Sequence, residues 1–162
     1  FAQPIDLLLQ YRLPQLMSFV DHRFSVYHEV SKKIREIFHR YTDLVEPLSL
    51  DEAYLDVTKR VEENYEKASH LAQQIKNRIR AKIKLSCSIG VSSNKLISKI
   101  ASDYQKPDGL TIIEPNKIEQ FLEPLNIRVI PGIGKKTEQR FKEMNLETIE
   151  NLKLNRQKSF KN

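Results

Sequence analysis

The sequence predicts an α+β fold: a mostly antiparallel sheet with helices packed on one face, followed by a small helical appendage. Three observations carry that prediction. Stretches of helical period alternate with short strand-like runs in the order helix, hairpin, helix, strand, helix, strand, helix, the pattern of a sheet covered by helices. Short turn sequences, not long linkers, separate these runs. The charge is unevenly placed: the 162 residues carry 27 Lys or Arg against 21 Asp or Glu, and residues 127–162 hold nine of the basic groups against four Glu. A near-neutral body thus precedes a basic end, as expected of an appendage that meets a polyanion. A solvated basic helix is the plain alternative.

Residues 1–24 read as an irregular N-terminal segment, with apolar clusters (Leu7, Leu8, Leu9; Leu16, Met17, Phe19, Val20) but no sustained period. From Val26 to Tyr41 the spacing of Tyr27, Val30, Ile34, Ile37, Phe38 and Tyr41 puts them on one helix face. Thr42 and Asp43 end that helix, and residues 44–58 read as two short strands. A second helix is expected over about 61–83, with Ala68, Leu71, Ala72, Ile75 and Ile79 as its apolar stripe. "KLSCSIGV" alternates as a strand, and Ser92–Ser93 offers cap chemistry for a helix from Asn94 to about Tyr104. "KPDG" is a turn, "LTII" a short strand and "NKIEQFLEPL" a short helix. From Ile127 the texture becomes basic, with two short helices around turns. The domain organisation is therefore 1–24, a body over 25–126, and an appendage over 127–162.

The 40% hydrophobic content is adequate for a packed core, and no apolar run approaches a membrane span of about 20 residues. "FAQPIDLLLQYR" lacks the basic start and small-residue cleavage site of a secretory signal. Cys87 is the only cysteine, which excludes an intrachain disulfide and a cysteine-rich zinc site, and it reads as a small apolar strand residue. The expectation is a soluble, cytoplasmic protein that does not enter membranes.

The stretch "EPLSLDEAYLDVT" sets the adjacent carboxylates Asp51 and Glu52 among Leu48, Leu50, Ala53, Leu55 and Val57, all of which look buried. Neighbouring side chains of a strand point to opposite faces, so the doublet serves one site only if the chain turns there. A tight hairpin favours Asn-Gly or Asp-Gly, and Asp-Glu supplies no glycine. Two close carboxylates repel unless a cation shares their space. Mg²⁺ suits them, being hard and usually held by one or two carboxylates plus phosphate oxygens. A solvated acidic turn is the alternative.

Three further features would complete a phosphate site. Lys106, before the Pro of "KPDG", is placed to reach a triphosphate as a point charge. Lys95 and Lys99 lie one helical turn apart, on a side that can follow a phosphate backbone. In "IPGIGKKT", Gly132 and Gly134 let successive N–H groups converge into an anion nest at a helix start, with Lys135 and Lys136 adding charge. Taken alone, Lys95, Lys99 and Lys106 read as surface lysines.

Together these segments resemble the DinB-like branch of the Y-family (translesion) DNA polymerases. "FHRYTDLVEPLSLDEAYLDVT" and "CSIGVSSNKLISKIASDYQKPDGLTII" look like the two palm motifs, "VDHRFSVYHEVSKKI" like the entry into the palm after the fingers, and "IRVIPGIGKKTEQRF" like the thumb's helix–hairpin–helix. The resemblance implies a partial palm over 25–126, part of a thumb over 127–162, and a remnant of the fingers over 1–24. It implies template-directed nucleotidyl transfer with two Mg²⁺ ions, for which Asp51 and Glu52 are two of three carboxylate ligands. Lys106 would contact the incoming deoxynucleoside triphosphate, and Ser49 would support the hairpin. Lys95, Lys99, Gly132, Gly134, Lys135 and Lys136 would face primer–template DNA.

The family's third metal-binding Asp, its ribonucleotide gate, most of the fingers, the little finger and the peptide that docks on a sliding clamp have no counterpart in these residues. The expectation is a fragment, inactive alone and prone to self-association through an exposed sheet edge. Competing readings are a non-catalytic helix–hairpin–helix DNA-binding module and the palm of another class, such as a nucleotidyl cyclase. "KPDG" joined to a helix–hairpin–helix argues against the latter.

Overall fold

The computed structural model describes residues 22–159, so most of the expected fingers remnant lies outside the described residues. The first helix, α1, spans Phe24–Phe38. Its inner face carries Ile34, Ile37 and Phe38, as the period predicts. Tyr27 instead sits near the helix start, half exposed, with its ring edge-on to Phe24. The helix ends at Phe38 and a tight turn brings Tyr41 back onto the core, its N–H donating to Phe38 O at 2.9 Å.

The hairpin predicted over 44–58 is present. β1 (Val45–Pro47) pairs antiparallel with β2 (Ala53–Leu55), matching Val45 with Leu55 and Pro47 with Ala53. Leu48, expected to be buried, is 52% exposed, because it belongs to the connecting turn and not to a strand.

The long helix expected over 61–83 is broken. A single turn, α2 (Thr58–Val61), is followed by Glu62 and Glu63 at φ 52° and 58°, left-handed values that end a helix. Asn64 then caps α3 (Tyr65–Ile83), its side chain accepting from Lys67 N at 2.8 Å. The predicted stripe of α3 is buried in full, and Leu71, Ile75 and Ile79 join Ile37 and Val61 in the main core. Ile79 is 2% exposed, a burial that stabilises by about 2 kcal/mol relative to leaving it in water.

β3 (Ile89–Val91), α4 (Lys95–Tyr104) and β4 (Leu110–Ile112) form the second unit. Here the antiparallel expectation fails: β3 and β4 pair in parallel, Ile89 with Leu110 and Val91 with Ile112. The reason is the connection. A helix carries the chain back along the sheet, so the next strand starts from the same end as the last. Among the described residues the strands form two separate two-stranded ladders. The cap also differs by one or two residues from expectation: Asn94 accepts from Ile97 N at 3.0 Å, while Ser92 donates its hydroxyl to Ile113 O.

Beyond β4, a 3₁₀ turn at Pro115–Lys117 leads into α5 (Ile118–Leu122), which packs with Phe121 against α4. After a further 3₁₀ turn at Ile127–Val129 come α6 (Lys135–Glu143) and α7 (Ile149–Ser159), the predicted helical pair. The pair is fastened to the body by backbone bonds: Ile127 N donates to Glu147 O, and Ile149 N to Leu125 O, both at 3.0 Å. Ile127 is wholly buried at this joint. Lys153 of α7 also reaches Glu119 and Glu123. No helix among the described residues is long and apolar enough to cross a membrane.

Candidate active site

The acidic doublet sits on the turn between β1 and β2, where the chain reverses as required. Leu48 N and Ser49 N both donate to Glu52 O, at 2.9 and 3.2 Å, closing the loop. Ser49 donates its hydroxyl to Asp51 Oδ1 at 2.6 Å. The turn is also held from below. Ser31, buried on the inner face of α1, donates its hydroxyl to Leu50 O, and Arg35 donates to Ser31 Oγ at 3.1 Å.

The two carboxylates have different surroundings. Asp51 is exposed and has no cationic partner among the described residues. Glu52 is half-buried and faces α4, where Lys99 Nζ lies 2.6 Å from its Oε1. Lys99 also lies 3.1 Å from Asp103 Oδ2, one turn further along the same helix, and the other oxygen of Asp103 accepts from Lys106. Glu52, Lys99, Asp103 and Lys106 therefore form one line of alternating charge, from the acidic turn to the "KPDG" turn. Burial alone would lower the Lys99 pKa, but the hydrogen bonds from Lys99 to Glu52 and Asp103 outweigh it and hold the ammonium above the usual lysine value. Asp103 is the mirror case: burial pushes its carboxyl up, and the bonds it accepts from Lys106 and Lys99 bring it below the usual range.

The structure thus brings Glu52, Lys99 and Lys106 together, and separates Lys95 from Lys99. Lys95 lies against Glu46 of β1 with its ammonium 5.7 Å from the Tyr54 ring centre. The shared phosphate-facing side predicted for the two lysines is not what the side chains form: each is occupied by a carboxylate, and Lys99 is only 19% exposed. The spacing placed both on one helix but said nothing of Glu46 and Glu52 opposite.

Below the "KPDG" turn lies a residue that sequence reasoning missed. Lys76 of α3 is 7% exposed, and its Nζ donates to Asp108 Oδ1 at 2.9 Å and to the carbonyls of Cys87, Asp108 and Gly109 at 2.8, 2.6 and 2.9 Å. Arg80 pairs with the other Asp108 oxygen. The hydrogen bond from Lys76 is the largest influence holding the Asp108 carboxyl below its usual range. Cys87, read as a small apolar residue, packs against the main core, and burial pushes its thiol up, away from reactivity.

At the other end of the chain, Gly132 adopts φ +93°, and Gly134 is the residue before α6, in extended geometry. Nothing lies within 4 Å of the Cβ position of either glycine, so the start of α6 is open to an approaching group. Lys135, Lys136, Gln139, Arg140 and Glu143 line one open surface of α6.

Asp51 and Glu52 offer hard carboxylate oxygens, and Glu52 already attracts a cation, the Lys99 ammonium. That donor chemistry fits Mg²⁺ or a similar divalent ion with part of its shell supplied by water or phosphate. Among the described residues no third His, Cys, Asp or Glu joins them into a larger cluster.

An α+β body carrying an acidic hairpin and a "KPDG" turn, followed by a helix–hairpin–helix, has the architecture of a Y-family polymerase palm and the segment after it. Residues 6–103 match the model of the impB/mucB/samB family and residues 115–146 the helix–hairpin–helix motif of that group. The chain belongs to the impB/mucB/samB family. It is 66% identical over 135 residues to a DNA polymerase IV of Nitrosopumilus maritimus, covering 83% of this chain and 37% of the relative. A DNA polymerase IV of Clostridioides difficile is 51% identical over 130 residues, covering 80% of this chain and 35% of the relative. Among solved structures, DinB from Sulfolobus solfataricus superposes with a TM-score of 0.80 at 36% identity, covering 88% of this chain and 42% of that one. The insertion ternary complex of Dbh DNA polymerase gives 0.79 at 36%, covering 88% and 41%. The chain thus spans just over a third of the length of the curated relatives it matches.

Proposed function

We propose that this chain is the nucleotide-handling part of a DNA-directed DNA polymerase of the translesion type, whose activity in the whole protein is template-directed nucleotidyl transfer. One observation carries this reading: the continuous line Glu52–Lys99–Asp103–Lys106, which links the acidic turn to the "KPDG" lysine across two loops and a helix. A solvated acidic turn has no need of a half-buried lysine from another element. Here Glu52 of the doublet and the cation for a triphosphate belong to one electrostatic unit.

In this reading Asp51 and Glu52 hold Mg²⁺, which when bound lowers the pKa of an attacking 3′-hydroxyl and offsets charge on the phosphates. Ser49 and Ser31 keep the turn in the conformation that presents both carboxylates. Lys106 neutralises the triphosphate of an incoming deoxynucleotide. The backbone N–H groups at the start of α6, with Lys135 and Lys136, take the phosphates of the primer–template duplex without reading its sequence. Lys95 as a DNA contact, docking on a sliding clamp, self-association through a sheet edge and a cytoplasmic setting belong to the same proposal. So does the division of the chain at residue 127, although the helix–hairpin–helix match begins earlier, at Pro115.

The test is primer extension by a chimera in which this chain replaces the matching residues of the Nitrosopumilus relative. Extension that vanishes with Asp51→Ala and with Glu52→Ala, while duplex binding survives, is the expected result. Unchanged extension in either variant would leave the doublet as a turn and overturn the assignment. A helix–hairpin–helix module without catalysis would instead hold duplex DNA with no extension at all.

A further inference from the structure

We infer that Lys99 is the built-in counter-cation of the acidic turn, which a divalent ion must displace from Glu52, and that Asp103 is the carboxylate that receives it. This rests on the proposed metal-binding role of Asp51 and Glu52.

Lys99 is a half-buried lysine on α4, and its ammonium sits 2.6 Å from Glu52 Oε1, where a metal ion using that oxygen would repel it. A divalent ion and an ammonium cannot both stand against one carboxylate oxygen without a large like-charge cost, so occupancy by one disfavours the other. A displaced half-buried lysine needs a second partner, since leaving its charge unpaired is costly. Asp103 supplies one at 3.1 Å, at the i,i+4 spacing that a helix makes automatically. Lys99 therefore has two carboxylates within reach and leaves Glu52 without becoming unpaired.

The transfer has a consequence at the other end of the line. Asp103 already serves Lys106 with its second oxygen. Drawing Lys99 closer shares the Asp103 charge between two ammonium groups and loosens its hold on Lys106, whose side chain is largely exposed. Ion binding at the acidic turn thus releases the lysine that meets the triphosphate. Asp103 is a positioning residue in this scheme: it touches neither ion nor nucleotide, and sets where both lysines stand.

The experiment is titration of the full chain with Mn²⁺, without nucleotide or DNA, following free Mn²⁺ by electron paramagnetic resonance. Lys99→Gln is expected to tighten Mn²⁺ binding about tenfold, the scale of effect one adjacent charge has on a carboxylate. Lys99→Arg, which keeps the charge, should stay near wild type. Asp103→Asn should weaken binding several-fold, because Lys99 then has only Glu52. The double variant decides the matter: with Lys99→Gln in place, Asp103→Asn should have no further effect. Binding that needs Asp51 but does not respond to Lys99→Gln, or an Asp103 effect that persists in the double variant, overturns this inference and leaves the metal site standing. Absence of Asp51-dependent Mn²⁺ binding in both wild type and Lys99→Gln overturns the metal site and the inference together.

Discussion

Lys76 Nζ lies 2.9 Å from Asp108 Oδ1, at the base of the turn that carries Lys106. The same ammonium accommodates four acceptors with three N–H groups, tying the approach to β3 at Cys87 to the approach to β4 at Asp108 and Gly109. A buried lysine is tolerated because every polar atom around it is satisfied. The clamp therefore fixes where the turn begins.

Replacing Lys76 with Met keeps the apolar stem and removes the donor. The carbonyls of Cys87, Asp108 and Gly109 lose their shared donor, at a cost of about 2 kcal/mol. Urea unfolding monitored by circular dichroism should show the midpoint fall with an unchanged slope. An unchanged midpoint would mean that water replaces the ammonium without loss.

The same pair sets a pH dependence. The Asp108 carboxyl is held below its ordinary value by the hydrogen bond from Lys76, so the unfolded chain takes up the proton first as pH falls. Its contribution to stability is present above the unfolded value of about 4 and is lost as pH drops through the lower folded value. The melting-temperature gap between wild type and Asp108→Asn should therefore be constant from about pH 5 to 7 and close on acidification below about pH 4. A gap that widens on acidification would reverse the sign and remove Asp108 as the cause.

Much of the frame was legible because period and turn chemistry are local. The stripe of α3, the hairpin and the "KPDG" turn follow from residue spacing, and the acidic doublet was found because glycine was missing where a plain turn wants it. What escaped depends on residues far apart in sequence. The Glu52–Lys99 pair spans 47 residues, and the spacing of Lys95 and Lys99 gave no hint that each meets a different carboxylate. Ser31 and Lys76 were visible as polar residues on otherwise apolar helix faces, a mark that a side chain has a buried partner elsewhere. Asp103 had the right offsets, four after Lys99 and three before Lys106, to announce a shared ion pair. The break at Glu62–Glu63 was marked only by Asn64, a cap residue inside an apparently continuous helix. The parallel pairing of β3 and β4 follows from the helix between them, which outweighs any antiparallel expectation for so short a pair of strands.

Gly90 is where the second unit admits no side chain. A Cβ there would stand 2.1 Å from Ser98 O and 2.4 Å from Ser102 N, both backbone atoms of α4. The helix must therefore move as a body, taking Lys99 and Asp103 with it. Gly90→Ala should cost about 3 kcal/mol, the upper end for forcing atoms into a packed site. The thermal melt reads this directly, and a variant as stable as wild type would show that α4 shifts freely over the sheet.

The two glycines before α6 give opposite expectations. Gly132, at φ +93°, occupies a backbone region that costs other residues about 2 kcal/mol, so Gly132→Ala should destabilise the helical pair. Gly134 is extended, with open space where a Cβ would go, so Gly134→Ala should change stability by no more than about 0.5 kcal/mol. In the proposed function the start of α6 takes a phosphate, and a methyl added at Gly134 would project into the open space beside it. Fluorescence anisotropy with a labelled duplex at fixed salt should then show several-fold weaker binding by Gly134→Ala, with the melting temperature unchanged. In the proposed function Lys136 meets one phosphate, so Lys136→Gln should weaken binding as well, and with it the salt dependence. Equal affinity of Gly134→Ala and wild type would mean that the start of α6 does not approach the backbone of DNA, and the grip would have to come from the lysines alone.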